Sequence, residues 1–508
     1  MKSLLAVLIA PLALAADGMA ESALAADAPA QQCAARKLKA TGKKAGGLLK
    51  CWSREVLRPG TYSGCAAKAE LKFADTFERG DAKGGCAVTG DADAIETKVD
   101  AFVDDVVADL TGSPAGAILG TSKAKKCAAS KLRAVGRKSS TQLKCHAKVA
   151  TSGSLDPSCI SRAEASYNQK WDRAEAKGGC ATSNDKAAIE TRVDAFVRDV
   201  VGDLLDLAGT LFVTVQGANK LHSIDAATGD ILASADTEVK PVGVEKANGK
   251  VYVANETSGT ISVFDSATLS ALAVIRACGK PHHTAVSPDR TRFYAACLAT
   301  NQVAVIDTET DVLLGLLTSG EAAARTHQPW PTKDGQRLWV ANWETNDITE
   351  IDLATDTILR TFPLAATPVE VVVPPDAKTA YVSVPELSKM MVFDLETSQL
   401  VAEPTMLAPE NIMLSADGKT ILSSWPGLHD PTAVSIFDTE TLTSVDVSLP
   451  GAVATHNDLT PNAKFGFVSV AGPNGVAVVD IEAAMVHAFY PIPGSGLTHG
   501  LRYAPSPP

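Results

Sequence analysis

The chain has 508 residues, 45% hydrophobic and 21% charged, the balance of a soluble globular protein with more than one domain. Its net charge of −11 is unevenly spread: residues 1–208 carry 30 Lys and Arg against 25 Asp and Glu, and residues 209–508 carry 17 against 33. So acidic a second half excludes nucleic acid as a partner, because phosphates demand a basic surface, and reads as a solvated surface.

Residues 1–26 read as a secretory signal: Lys2, the apolar run Leu4–Ala16, and small-residue sites at Ala15-Ala16 and Ala25-Ala26. The run is too short for a membrane span, and no later segment approaches the about 18–20 apolar residues a span needs. The expectation is an exported protein, periplasmic or extracellular. Gln31-Gln32 before Cys33 argues against a lipid anchor.

A duplication follows. Cys33, Cys51, Cys65 and Cys86 recur without a gap as Cys127, Cys145, Cys159 and Cys180, each 94 residues on. The units are 33–110 and 127–208, joined by a Gly/Ser/Pro-containing linker at 111–126. Each predicts three helices. The last in the second unit carries Ile189, Val193, Phe196, Val197, Val200 and Leu204 as one apolar stripe, with Asp91 and Asp185 as N-cap residues. Four cysteines in an exported unit imply two disulfides, with three pairings open. An antiparallel hairpin of the first two helices selects Cys51–Cys65 at its turn and Cys33–Cys86 at its open end, and likewise Cys145–Cys159 and Cys127–Cys180. Metal ligation is the weaker alternative: there is no Cys-x-x-Cys, and His146 is the sole histidine of this half.

From residue 209 to 508 an aspartate ends a short apolar run seven times: Asp225, Asp265, Asp307, Asp352, Asp394, Asp438 and Asp480. A threonine stands three residues after each of the first six. The spacings, 40 to 45 residues, each hold several short strands, the pattern of a β-propeller with seven blades. Turns such as SPDR (287–290) and SADG (415–418) precede strands such as VYVAN (251–255) and LWVAN (338–342). The first period lacks its opening strand and the tail LTHGLRYAP (497–505) is a spare one, so the tail should pair beside LFVTV (211–215) and close the ring. The fold class is therefore multidomain: an all-α, disulfide-stapled duplicated N-terminal part and a C-terminal all-β seven-bladed propeller.

The YVAN, WVAN and FYAAC strands, the SPD and SADG turns and the VFDxxT strand ends resemble the YVTN-repeat family of seven-bladed propellers over about 210–505. The upstream half resembles four-cysteine helical repeats of exported bacterial proteins.

Aligning the blades on their SPD-type turns brings scattered residues to one channel mouth. His282, His327 and His499 share a register; His283 and His456 fall one residue later; Glu370, Glu410 and Asn411 match them in other blades. Arg325 and Trp330 flank His327, and Trp343 and Trp425 follow second strands on the same face. Converging imidazoles suit copper or zinc or acid–base chemistry near neutral pH, and equally a structural role between blades. In location they resemble propeller enzymes that gather histidines around copper, and lactonase propellers with charged residues at the same mouth. Cys278 and Cys297 lie on this face as an expected disulfide or a Cys/His metal site. Trp343 and Trp425 offer a stacking platform or blade packing. The leading expectation is an exported binding module for another exported protein, a glycan or a small ligand; the alternative is a metal-dependent enzyme or a lactonase-like hydrolase.

Overall fold

In the computed structural model, which describes residues 29–505 apart from 84–85, 87, 113–119, 153–156, 322–324, 408, 425–431, 450 and 495, six helices precede seven four-stranded sheets. The expected leader at 1–26, part of the expected linker and Trp425 lie outside the described residues.

Helices α1 (Pro29–Glu55), α2 (Tyr62–Ala82) and α3 (Ala92–Thr111) form the first unit; α4 (Ser122–Ser152), α5 (Pro157–Glu175) and α6 (Lys186–Leu205) form the second. Ile189, Val193, Phe196, Val197, Val200 and Leu204 of α6 are all buried. Disulfides join Cys33 to Cys86, Cys51 to Cys65, Cys127 to Cys180 and Cys145 to Cys159. Replacing Cys127 and Cys180 by serine should cost the helical part about 2–4 kcal/mol in urea unfolding. An unfolding midpoint equal to that of the parent would show that this bridge staples nothing.

Four buried lysines, again 94 residues apart in pairs, tie the first helix of each unit to its neighbours. Lys37 meets Asp81 at 2.6 Å and also Asp91, while Lys131 meets Glu175 at 2.8 Å and Asp185 at 2.7 Å. Lys44 pairs with Glu96 and Asp100, and Lys138 with Glu190 and Asp194. Asp91 and Asp185 do stand at helix N-caps, but make no side-chain cap bond. A buried ammonium without a counter-charge costs far more than an unmade cap, so the carboxylates turn to the lysines.

The two units pack as a pseudo-twofold pair. A Cβ on Gly46 of α1 would lie 2.7 Å from the carbonyl of Gly136 on α4, so only glycine permits this approach of the two backbones. At the axis Phe102 stacks on its own copy, Phe196, at 4.1 Å.

The propeller follows with almost no connector. Asp206 pairs with Lys464 at 2.6 Å, and the Tyr503 hydroxyl donates to the Ala208 carbonyl at 2.8 Å. The strand Thr498–Pro505 pairs antiparallel with Gly209–Val215 and completes blade one. The repeating aspartates hold turns: Asp265 accepts from the Thr268 amide at 2.9 Å and its hydroxyl at 2.8 Å, an Asx-turn geometry. In blade seven, which lacks the threonine, Asp480 accepts from the Ala483 amide at 2.9 Å.

Candidate functional site: a histidine hub

The innermost strands of four blades deliver five imidazoles to the channel. His282 and His283 come from Pro281–Val286 (blade three), His327 from Thr326–Pro331 (blade four), His456 from Val453–Leu459 (blade seven) and His499 from Thr498–Pro505 (blade one). Strand pairing slips between Pro281 and Thr284, between Thr326 and Gln328, and between Ala454 and Asn457. A bulge re-aims side chains that strict alternation would send to opposite faces, so adjacent His282 and His283 can both line the hub. Ring centroids lie 4.3 Å apart for His283 and His327, 4.7 Å for His283 and His456, and 4.1 Å for His456 and His499.

The partners fix which nitrogens are free. His327 Nδ1 lies 2.8 Å from the Val369 carbonyl, which can only accept, so Nδ1 carries the proton and Nε2 keeps its lone pair. His283 Nδ1 faces the Glu370 carboxylate at 2.7 Å, with the same result. Glu370 is itself held by the Ile412 amide at 2.6 Å. His456 Nε2 sits 3.0 Å from His283 Nε2, so the proton between them belongs to His456, whose Nδ1 is left unpartnered. Nδ1 of His282 and of His499 are buried and unpartnered as well. One nitrogen each from His282, His283 and His327 lie within 4.8 Å of one another, a small inward rotation from the roughly 3–4 Å that ligands about 2.0–2.1 Å from one ion require.

Burial keeps four of these imidazoles neutral. It pushes His282, His327 and His456 well below the ordinary imidazole range, with the neighbouring imidazoles adding to the shift, and takes His499 down to about 3. Glu410 moves the other way, pushed up to about 7 by burial and then by Glu370.

The other sequence-predicted residues separate. Trp343 stacks on His327 at 4.1 Å, and the Arg325 guanidinium lies over its ring at 5.4 Å while pairing with Glu344 at 2.7 Å. Trp330, three residues beyond His327, lies deeper in the channel and donates to the Val373 carbonyl at 3.2 Å. Cys278 and Cys297 form a disulfide. Asn342 is buried and donates to Asp347 at 2.8 Å and to Thr349 at 3.0 Å. Sequence reasoning missed Glu256, which pairs with Lys240 at 2.8 Å and stands 3.6 Å from His282 Nε2. A signal existed: Glu256 follows the YVAN strand just as Trp343 follows WVAN. Beneath the histidines, next to Glu370 and Asn411, lies a cavity of about 80 Å³. A wider one of about 350 Å³ at the opposite mouth is lined by Trp330, Pro331, Met413 and Tyr503.

These features define a disulfide-bonded seven-bladed β-propeller with a histidine hub. No family model matches the chain, and no curated protein matches it. Among solved structures, a functionally unknown protein from Desulfotomaculum acetoxidans is similar at 12% identity and a TM-score of 0.50, over 59% of this chain and 99% of that one. Kuenenia stuttgartiensis hydrazine synthase gives 18% identity and 0.46 over 54% and 92%. Dihydro-heme d1 dehydrogenase NirN, in complex with DHE, gives 15% and 0.45 over 63% and 86%. The first of these likenesses speaks to the fold alone.

Proposed function

We propose that the protein is an exported metal-binding module whose propeller hub holds one copper or zinc ion. The observation that carries this reading is the pinned pair His283 and His327: each donates its Nδ1 proton to a fixed oxygen and keeps the lone pair of Nε2, and with His282 they bring one ligand nitrogen each to within 4.8 Å of one another. Acceptors of that kind orient histidine ligands in metal sites and raise their basicity. His282 and His456 supply the remaining nitrogens, and neutral imidazoles are the form that binds copper and zinc. Export is supported by five disulfides and the signal-like leader; among the described residues no helix is long and apolar enough to cross a membrane.

A space of about 80 Å³ is far below the roughly 300 Å³ of ordinary small-molecule pockets, which favours an ion over an organic substrate and leaves lactone hydrolysis weakly supported. Metal-dependent catalysis is the second reading, and Glu410, half-buried near Glu370 with its carboxyl pushed up to about 7, is the observation that favours it. The helical units would act as a spacer or a docking surface for another exported protein, with a glycan or small ligand as the alternative partner.

Elemental analysis of mature protein, reconstituted with copper or zinc and desalted, should find about one equivalent per chain, as a single mononuclear site requires. A His327→Ala/His456→Ala variant should lose it. A parent protein that keeps neither metal overturns the proposal.

A further inference from the structure

The second helical unit and blade one enclose a polar cavity of about 250 Å³, lined among others by Gln142, His146, Glu164, Asp194, Arg198 and Asp230. Its chemistry is a departure from the duplication. Counting back 94 residues, Gln142 corresponds to Leu48 and His146 to Trp52. In the first unit Leu48 belongs to the apolar core and Trp52 packs on Tyr62 at 4.3 Å. The second unit has replaced this apolar pair by two polar side chains, only 5% and 4% exposed, at the place where the propeller docks.

Those polar groups are not used up by the protein. Gln142 donates its amide to Asp194 at 2.9 Å, and its Oε1 is buried without a partner. No hydrogen-bond partner stands within reach of the His146 ring or the Glu164 carboxylate among the described residues. Asp194 is neutralised by Lys138 at 2.9 Å. Arg198 approaches Asp230 only to 3.9 Å. Burial pushes Glu164 up, against the pull of Lys138, and His146 down to about 4, against that of Asp230. The cavity therefore presents surplus acceptors, two of them carboxylates, against one guanidinium. Gln142 Oε1, buried without a donor, costs about 1–3 kcal/mol; with the half-buried Glu164 and the exposed Asp230 beside it, what would satisfy these acceptors is a compact cation with several N–H donors.

We propose that this interdomain cavity binds a small organic cation, a primary alkylammonium. Its –NH₃⁺ would donate to Gln142 Oε1, Glu164 and Asp230. Its alkyl part would lie against Ile160, Val197 and Ile231, which complete the wall. The first unit, with Leu48 and Trp52 at these positions, offers no such site.

The test is calorimetry on the full mature chain with propylammonium, using tetramethylammonium as a cation of equal charge and no donors. Propylammonium should bind at one site and raise the melting temperature, and tetramethylammonium should bind about tenfold or more weakly, the size of one charge-assisted hydrogen bond. Gln142→Leu/His146→Trp, which restores the first unit's pair, should abolish binding. Glu164→Gln, a nearly isosteric change, should weaken it by about tenfold and guards against misfolding of the double variant. Absence of saturable propylammonium binding overturns the proposal, as does equal affinity for tetramethylammonium or unchanged affinity in Glu164→Gln.

Discussion

A chain truncated after Gly494 should lose the cooperative unfolding of its propeller, with a melting temperature at least about 10 °C lower, the shift expected for the loss of several kcal/mol in a domain of this size. The missing segment includes the strand Thr498–Pro505, the inner strand of blade one. It takes with it the buried side chains of Thr498, Leu501, Tyr503 and Ala504, each apolar one stabilising by about 1–3 kcal/mol. It also bares the edge of Gly209–Val215 for pairing with other chains. Calorimetry and light scattering on the truncated protein would check both consequences. An unchanged melting curve would mean that the ring does not depend on this strand.

Replacing Arg502 by leucine should destabilise the folded protein by about 3–5 kcal/mol near pH 7.5, the cost of leaving buried carboxylates unpaired. Arg502 lies 2.6 Å from Glu245 and 3.5 Å from Asp458, and both acids are buried. Both hold the guanidinium firmly charged. On Glu245 burial is the larger influence and Arg502 the smaller, so its carboxyl is pushed up to about 7. A carboxyl whose folded pKa exceeds its unfolded value favours folding while protonated and loses that advantage as pH rises through the folded pKa. Without Arg502 this shift grows. The gap between variant and parent should therefore be widest above pH 7 and shrink as pH falls toward 4.5. Urea unfolding across this range measures it, and a pH-independent gap would show that the loss comes from packing alone.

The architecture was legible because its signals are periodic. Seven aspartates at near-constant spacing count seven blades, and an orphan opening strand at 497–505 announces the closure. The same ruler brings histidines from blades one, three, four and seven to one channel mouth. What it could not supply was depth. Trp330 is adjacent in sequence to the mouth residues, yet three residues along a strand carry it down the channel. The Val369 carbonyl is invisible as well, because a backbone acceptor leaves no mark on residue type. Buried lysines 37, 44, 131 and 138 read as solvated helix surface, since charged residues are seldom inside unless paired, and their partners sit some fifty residues away on other helices. Asp91 and Asp185 illustrate the same limit: a local cap rule located them, and a long-range ion pair decided what they do.

The stacking of Phe102 on its own copy, Phe196, with Gly46 against Gly136, has an evolutionary reading. Self-complementary contacts about a twofold axis are what a homodimer makes, so the helical half has the form of a dimer written into one chain. In a true homodimer every substitution appears on both sides of the axis. Fusion removes that constraint: one copy keeps its tryptophan at position 52 while the other carries a histidine at 146, facing the propeller. The inheritance of two equal halves becomes a division of labour, one for structure and one for contact with the neighbouring domain.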